Sequence, residues 1–490
     1  MQAGISQEPA TRPVPIAAAG APAPSSVAEQ WAAFIHDTDL RDLPAEVVLR
    51  AKSRLLDALA TALAARTLPV PTVARRFVQA EGGMAARGTS GTRGAIGAAT
   101  SDRAGPADRG PATILGHPAR VSTVDAAFVN ATLVNGCTHD DFLAKSHPGA
   151  VVIPAALAVG EAHEASGATL LAAIVLGYDI VARAYLGAPG MLPAFRGTGV
   201  AGAIGAAAAA GKTLSLDRRE LMNALGCAAM FASGFGEGFR SGTMDVKLNV
   251  GWASRTGVSA AELAAAGATA SPLAFEGESG YFRAFGRSAD HAPDAVRDLG
   301  KRFLIEDVVY KERPVCIFVQ TPVQLALDMK ARHDLDPARI ERVTIRAPWL
   351  TLTNPGYTNV APYETPLKAR ISARFTVAAA LLGRPVGEYA YYENIDDADV
   401  LALADRIDLL DPAGDQDGRV DLEVRCAGLA YQASGLEMDS LTPTPEKIVA
   451  KFDRLTAHLP ARRVEAARRM VMALEDEPRI GALTALLRPD

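Results

Sequence analysis

The sequence predicts a mainly α protein, a large all-helical domain with a smaller α/β domain inserted in it. Three observations lead there. Apolar residues recur at helical spacing through most of the first half, alanine runs are common while aromatics make up only 6% of the chain, and period-two alternation is confined to positions beyond 303. At 490 residues the chain is also long for one domain.

Residues 1–25, rich in Pro and Ala, are expected to form a disordered tail. The helical domain is expected over 26–302. Ser25 or Ser26 caps its first helix, which carries Trp31 and Phe34. Pro44 opens a longer one, in which Val47, Ala51, Leu55, Ala58 and Ala62 make a buried stripe. From 82 to 110 the chain turns to Gly, Ala, Arg, Thr and Ser without periodicity, the composition of a flexible surface insertion. Helices follow over about 123–135, 150–164 and 170–186, the last capped by Thr169. Gly197 to Lys212 reads as a Gly/Ala-rich helix, and Asp217 with Glu220 as a capping box for a helix ending near Gly234. Another spans about 248 to Gly267, a C′ glycine.

The α/β domain is expected over 303–440. Phe303 to Lys311 and Ile340 to Ala347 read as strands with a helix over about 319–332 between them. Val420, Leu422, Val424 and Cys426 alternate with polar residues as a further strand. A helix over about 365–382 would cover the sheet. Amphipathic helices return after Thr444, and 441–490 is expected to rejoin the helical domain.

Composition narrows the function classes. The net charge is -5 and basic residues never run longer than two, so neither nucleic acid nor an acidic membrane surface is an expected partner. Small molecules and copies of itself remain. The four cysteines are far apart and form no C-x-x-C pair, which suits a reducing cytoplasm. Prolines 9, 13, 15, 22 and 24 interrupt any leader-like apolar core, and the longest apolar run, Leu170 to Leu176, is expected to stop at Gly177 and Asp179, too short for a bilayer.

Two glycine motifs mislead. Gly197-x-Gly199-x-x-Gly202 matches the dinucleotide fingerprint, but the Gly- and Pro-rich segment before it is no buried strand, so the glycines are expected to serve close helix packing. Gly205 and Gly211-Lys212-Thr213 miss the P-loop spacing by one, with alanines in between.

Chemistry concentrates between Asn135 and Glu161. Here His139, Asp140, Asp141, Lys145, Ser146 and His147 crowd a loop between a helix and the Pro148-Gly149 start of the next. The spacing supports no metal site, and no G-x-S-x-G elbow exists. General acid-base chemistry by His, Asp, Lys and Tyr remains.

The order of segments resembles the MmgE/PrpD family, which includes 2-methylcitrate dehydratase, cis-aconitate decarboxylase and iminodisuccinate epimerase. The resemblance is carried by Asp140-Asp141 ending in His147-Pro148-Gly149, Gly177-Tyr178-Asp179 with Arg183, Thr198-Gly199, Asp245-Val246-Lys247, Glu276-Gly277, Lys311 with Pro314, and Tyr357 followed by Ala369-Arg370. It implies that the inserted α/β domain is a lid over a cleft, that the protein is a homodimer, and that no metal or organic cofactor takes part. It implies proton removal beside a carboxylate, with His147, Asp140, Lys247 and Tyr357 in catalytic roles. Asp141, Arg196, Thr198, Lys311 and Cys316 would bind a small polycarboxylate. Loss of water from a 2-methylcitrate-like substrate is the first expectation; epimerisation, decarboxylation and a silent binding role are the alternatives.

Three departures from the family pattern bear on this. Thr138 stands where relatives carry a further acid, with Phe142 in place of a Thr after the Asp pair. Arg196 and Cys316 stand where histidines are found. Arg cannot serve as a base near neutrality but can clamp a carboxylate, and Cys316 could exchange protons if Lys311 lowered its pKa.

Overall fold

Ser26 caps the first helix of the described residues, α1 (Val27–Asp37), through a complete capping box with Glu29. The computed structural model describes residues 25–85, 110–412, 418–436 and 441–489. The expected tail over 1–25 and insertion over 82–110 lie, but for their edges, outside the described residues. Pro44 caps α2 (Ala45–Ala64), and the stripe from Val47 to Ala62 is buried as its spacing required.

The helical unit is built around α3 (Thr123–Gly136), α4 (Pro148–Ala162), α5 (Gly167–Leu186), α6 (Gly197–Thr213), α7 (Arg218–Phe231) and α8 (Asp245–Ala265). Helix α6 is the axis, packed on α4, α5 and α8. Its glycines allow this closeness. A methyl on Gly205 would lie 2.2 Å from Val181 Cγ2, and one on Gly257 of α8 would lie 2.4 Å from Ala206 Cβ. Gly205→Val is therefore expected to cost about 1–3 kcal/mol or more by overpacking, measured by chemical denaturation.

Two helix readings need correction. Ser166, not Thr169, caps α5, accepting from the Thr169 amide at 3.2 Å, so the helix starts three residues early. Its far end falls at Leu186 as expected, and Asp179 is accommodated within it because Arg183 one turn on and the Leu304 amide meet its charge. By length and composition α5 alone among the described residues could cross a membrane; here it is a core helix, 83% buried over its most apolar window. Finally, α7 stops at Phe231, and α8 begins at Asp245, placing Lys247 in its first turn.

The second unit has its own apolar core, drawn from residues 315–441 and from Phe142 of the polar loop. Its four-stranded sheet has the order β2-β1-β3-β4, with β1 (Ile340–Arg346), β2 (Ile407–Leu410), β3 (Arg419–Cys426) and β4 (Leu429–Leu436). β1 runs parallel to β2 (Val343 beside Ile407) and antiparallel to β3 (Ile345 beside Leu422). Val420, Leu422, Val424 and Cys426 face inward, as their alternation demanded. Helix α9 (Ile317–His333) packs on this sheet. The expected helix over 365–382 is two, α10 (Pro366–Ile371) and α11 (Ala373–Leu381). Ser372 ends one and caps the other through Phe375.

Phe303 to Lys311 is not a strand. Leu304–Asp307 is a 3₁₀ turn whose apolar residues enter the helical core, and Val309 alone forms a bridge, with Phe142. The alternation there satisfies two neighbours rather than one sheet face. Beyond 441, α12 (Pro445–Thr456) packs on α2 and returns the chain to the first core.

Candidate active site

The polar loop leaves α3 at Gly136 and enters α4 at Pro148. Within it Thr138, Ala144 and Lys145 have positive φ (57°, 46° and 55°), a backbone held in shape by its surroundings. The two adjacent carboxylates part company. Asp141 turns into the helical core, accepting from the Gly149 amide at 3.0 Å and the Tyr178 hydroxyl at 2.6 Å. Burial pushes its pKa up to about 6. Its carboxylate is thus a brace for the loop and lies outside the lining of the cavity.

Asp140 turns the other way. Its carboxylate accepts from Asn135 Nδ2 at 2.6 Å, pairs with Lys311 Nζ at 3.5 Å, and stands 3.3 Å from His147 Nδ1. Burial raises its pKa, but His147 and the ammonium groups of Lys311 and Lys247 outweigh this and hold the carboxyl well below its usual range. Since His147 is itself driven neutral, the lysines supply that effect near pH 7.

His147 is fixed at three points. Its backbone amide donates to Thr198 Oγ1 at 3.2 Å, Phe142 packs edge-on at 5.4 Å, and Nδ1 lies 2.6 Å from the Asp141 carbonyl. Both neighbours of Nδ1 are acceptors, so Nδ1 carries the proton and Nε2 is the basic nitrogen. Burial, reinforced by Lys311 and Arg196, lowers its pKa to about 3 against Asp140 and the Asp141 carbonyl. The folded protein therefore binds fewer protons here than the unfolded chain, and this contribution to stability is full above pH 6.5 and lost as pH falls toward 3. Asp141 has the opposite sign, its contribution being full below pH 3.8 and lost as pH rises through about 6. In an NMR titration the His147 ring is expected to stay neutral from pH 5 to 8; a midpoint near 6.5 would refute this charge state.

Lys247 donates to the Asn135 carbonyl and to Thr138 Oγ1, each at 2.9 Å. Burial first, then Arg196, Arg370 and Lys311, place its pKa well below the ordinary lysine value despite Asp140. Thr138 gives it a hydroxyl where a carboxylate would have neutralised it. Arg196 donates to the Val246 carbonyl and lies 5.0 Å over the Phe239 ring; burial lowers its pKa to about 10, still a cation at neutrality.

Thr138, His147, Arg196, Lys247 and Lys311 border a cavity of about 100 Å³ between the two apolar cores, and Asp140 and Asn135 stand behind this lining rather than in it. On the same measure a water needs roughly 10–15 Å³, so the space suits a small organic acid and excludes a dinucleotide. Lys145, Arg196, Lys247 and Lys311 line it with His147, Thr198 and Cys316. The lining holds four basic side chains and no carboxylate; Asp140 beside Lys311 and Asp245 near Arg196 offset part of that charge, and the remainder favours an anionic ligand.

Cys316 lines the cavity at the start of α9, but burial raises its pKa more than Lys311 lowers it, so the thiol stays protonated. Tyr357 lies in the second core, fully buried and outside the lining, where Asn354 and Pro355 of the same loop take its place. Asn135, Lys145 and Arg370 were missed as site residues. Asn135 touches Asp140, Arg196 and Lys247, yet from sequence it is only the end of a helix. Arg370, donating to the Cys137 carbonyl at 3.2 Å, is signalled by nothing but its place beside Ala369. Among the described residues no group of three or more His, Cys, Asp or Glu could hold a metal ion.

Known proteins match along most of the chain. Residues 29–294 match the MmgE/PrpD N-terminal domain and 314–417 the MmgE/PrpD C-terminal domain. Cis-aconitate decarboxylase of Homo sapiens is 24% identical over 397 residues, covering 78% of this chain and 76% of that protein. The Mus musculus protein of the same name is 26% identical, with 73% and 70% covered. Cis-aconitate decarboxylase of Aspergillus terreus is 22% identical, with 91% and 92% covered. Matched in both halves and in order, the chain belongs to the MmgE/PrpD family of lyase-like enzymes.

Proposed function

We propose that this chain is a cofactor-independent lyase for a small polycarboxylate, with 2-methylcitrate-type dehydration as the first reaction to test. One observation carries the reading: a neutral imidazole with Nδ1 committed stands beside a surplus of buried cations. Nε2 of His147 takes the proton next to a substrate carboxylate. Arg196, Lys247 and Lys311 stabilise the charge that spreads onto that carboxylate, where exclusion of water strengthens them. Lys247, whose ammonium is made acidic by burial and then by its cationic neighbours, gives a proton to the departing hydroxide, which leaves as water. No step calls for a bound cofactor.

A single imidazole beside several cations favours elimination over epimerisation, which needs a second base across the cavity. Decarboxylation is the second reading, favoured by the names of the relatives and by an acidic Lys247 able to protonate the carbanion left by carbon dioxide. A silent role would fit a cleft filled by Phe142 and Arg196; both line the cavity without closing it. Incubation of 2-methylcitrate, citrate, cis-aconitate and N-substituted aspartates in D₂O, followed by NMR, separates these readings. Loss of water, loss of carbon dioxide or simple exchange identifies the reaction, and no change in any substrate would sink the lyase proposal.

We further propose that the α/β unit acts as a lid, and that the enzyme is a cytoplasmic homodimer. Apolar side chains on the helical unit support pairing: Met230 is 80% exposed, and it borders one surface depression with Phe231 and Leu273. Sedimentation is expected to give twice the chain mass, and Met230→Asp to shift it toward the monomer.

A further inference from the structure

The cations of the cavity converge on one place. Lys247 and Arg196 both bond to Asn135, Asn135 bonds to Asp140, and Asp140 meets Lys311. The rest of the lining is largely apolar; Leu192, Phe195, Phe239, Cys316 and Pro355 are half-buried, and of these Leu192 and Phe195 stand together. They belong to the short segment that leads directly into Arg196, the N-cap of α6. Phe195 cannot turn aside, because its ring is held edge-on by Phe285 at 4.9 Å and lies 6.0 Å from Phe235. No cation covers it, unlike Phe239 under Arg196 and Phe318 under Lys145. The apolar surface is thus fixed in advance and left open toward the cavity.

A substrate that is polar all round, such as an unsubstituted tricarboxylate, would set oxygen atoms against Leu192 and Phe195 and lose their water without gaining a partner. An acid with one apolar substituent would meet both walls correctly. We infer that the substrate is a compact carboxylic acid bearing an apolar arm, alkyl or aryl, and that Leu192 and Phe195 select this arm while Arg196 holds the neighbouring carboxylate. This rests on the anion-binding role proposed for the cavity and narrows its substrate class.

The test is calorimetric binding of succinate, methylsuccinate and phenylsuccinate to the full chain. Affinity is expected to rise along the series, by about tenfold or more from succinate to phenylsuccinate. Leu192→Asn, in a half-exposed loop position that folding tolerates, is expected to bring phenylsuccinate down to the affinity of succinate. Lys247→Met is expected to weaken all three together. Succinate binding as well as or better than phenylsuccinate would overturn the apolar arm while leaving the cationic site standing. A preference that survives unchanged in Leu192→Asn would overturn the selecting role of this segment. Failure of all three to bind would remove the cationic site itself, and the arm with it.

Discussion

Replacing His147 by alanine is expected to lower proton exchange between substrate and solvent by about 10²- to 10⁴-fold, the usual worth of a positioned acid-base group. The size follows from how completely the ring is prepared. Its Nδ1 proton is engaged by the Asp141 carbonyl at 2.6 Å, Asp140 stands 3.3 Å away, and burial keeps the ring neutral, so the base is ready across physiological pH. The fold should survive, because the bond from its backbone amide to Thr198 and the start of α4 at Pro148 do not need the imidazole. Exchange measured by NMR alongside circular dichroism separates lost chemistry from lost structure. Undiminished exchange in the folded variant would move the base elsewhere in the cavity.

Asp140→Ala should act chiefly on stability, by about 3–5 kcal/mol, because removing one partner of a buried charge group leaves the others unpaired. Lys311 and Asp140 are each only 1% exposed, so water cannot replace the lost partner. Lys247 and Arg196 lose the same compensating charge. Chemical denaturation should show the loss, and Asp140→Ala combined with Lys311→Met should recover part of it, the signature of direct coupling. A bound polycarboxylate should raise the midpoint of the single variant more than that of the wild type. Equal stability of variant and wild type would mean that the cations are satisfied without Asp140.

Local signals in the sequence were read well where local physics decides. The Asp217-Glu220 capping box and the alternation from Val420 to Cys426 depend on neighbours a few residues apart, and both stand in the structure. The polar loop is legible from its crowded His, Asp, Lys and Ser residues, whereas its grouping with Arg196, Thr198, Lys247 and Lys311 follows from the family resemblance rather than from spacing. What escaped depends on distant partners. Phe303 to Lys311 has the pattern of a strand but finds the helical core instead of a sheet. Asn135 gains its role only when Arg196 and Lys247, 61 and 112 positions away, come to it. Nothing in the pair Asp140-Asp141 says which carboxylate faces the cations; the Tyr178 hydroxyl and the Gly149 amide decide that.

Phe142 and Val309 exchange two backbone hydrogen bonds, at 2.9 and 3.0 Å, tying the polar loop to the strand-like connector that carries Lys311. The Phe142 ring meanwhile belongs to the core of the α/β unit. Access to the cavity therefore has a built-in reporter. If the α/β unit swings away and leaves the loop behind, the two amides become free to trade hydrogen for deuterium at the rate of opening. If loop and unit travel together, both amides stay protected and the joint that yields must lie on the far side of His147, which would carry this imidazole away with the α/β unit each time the cavity opened.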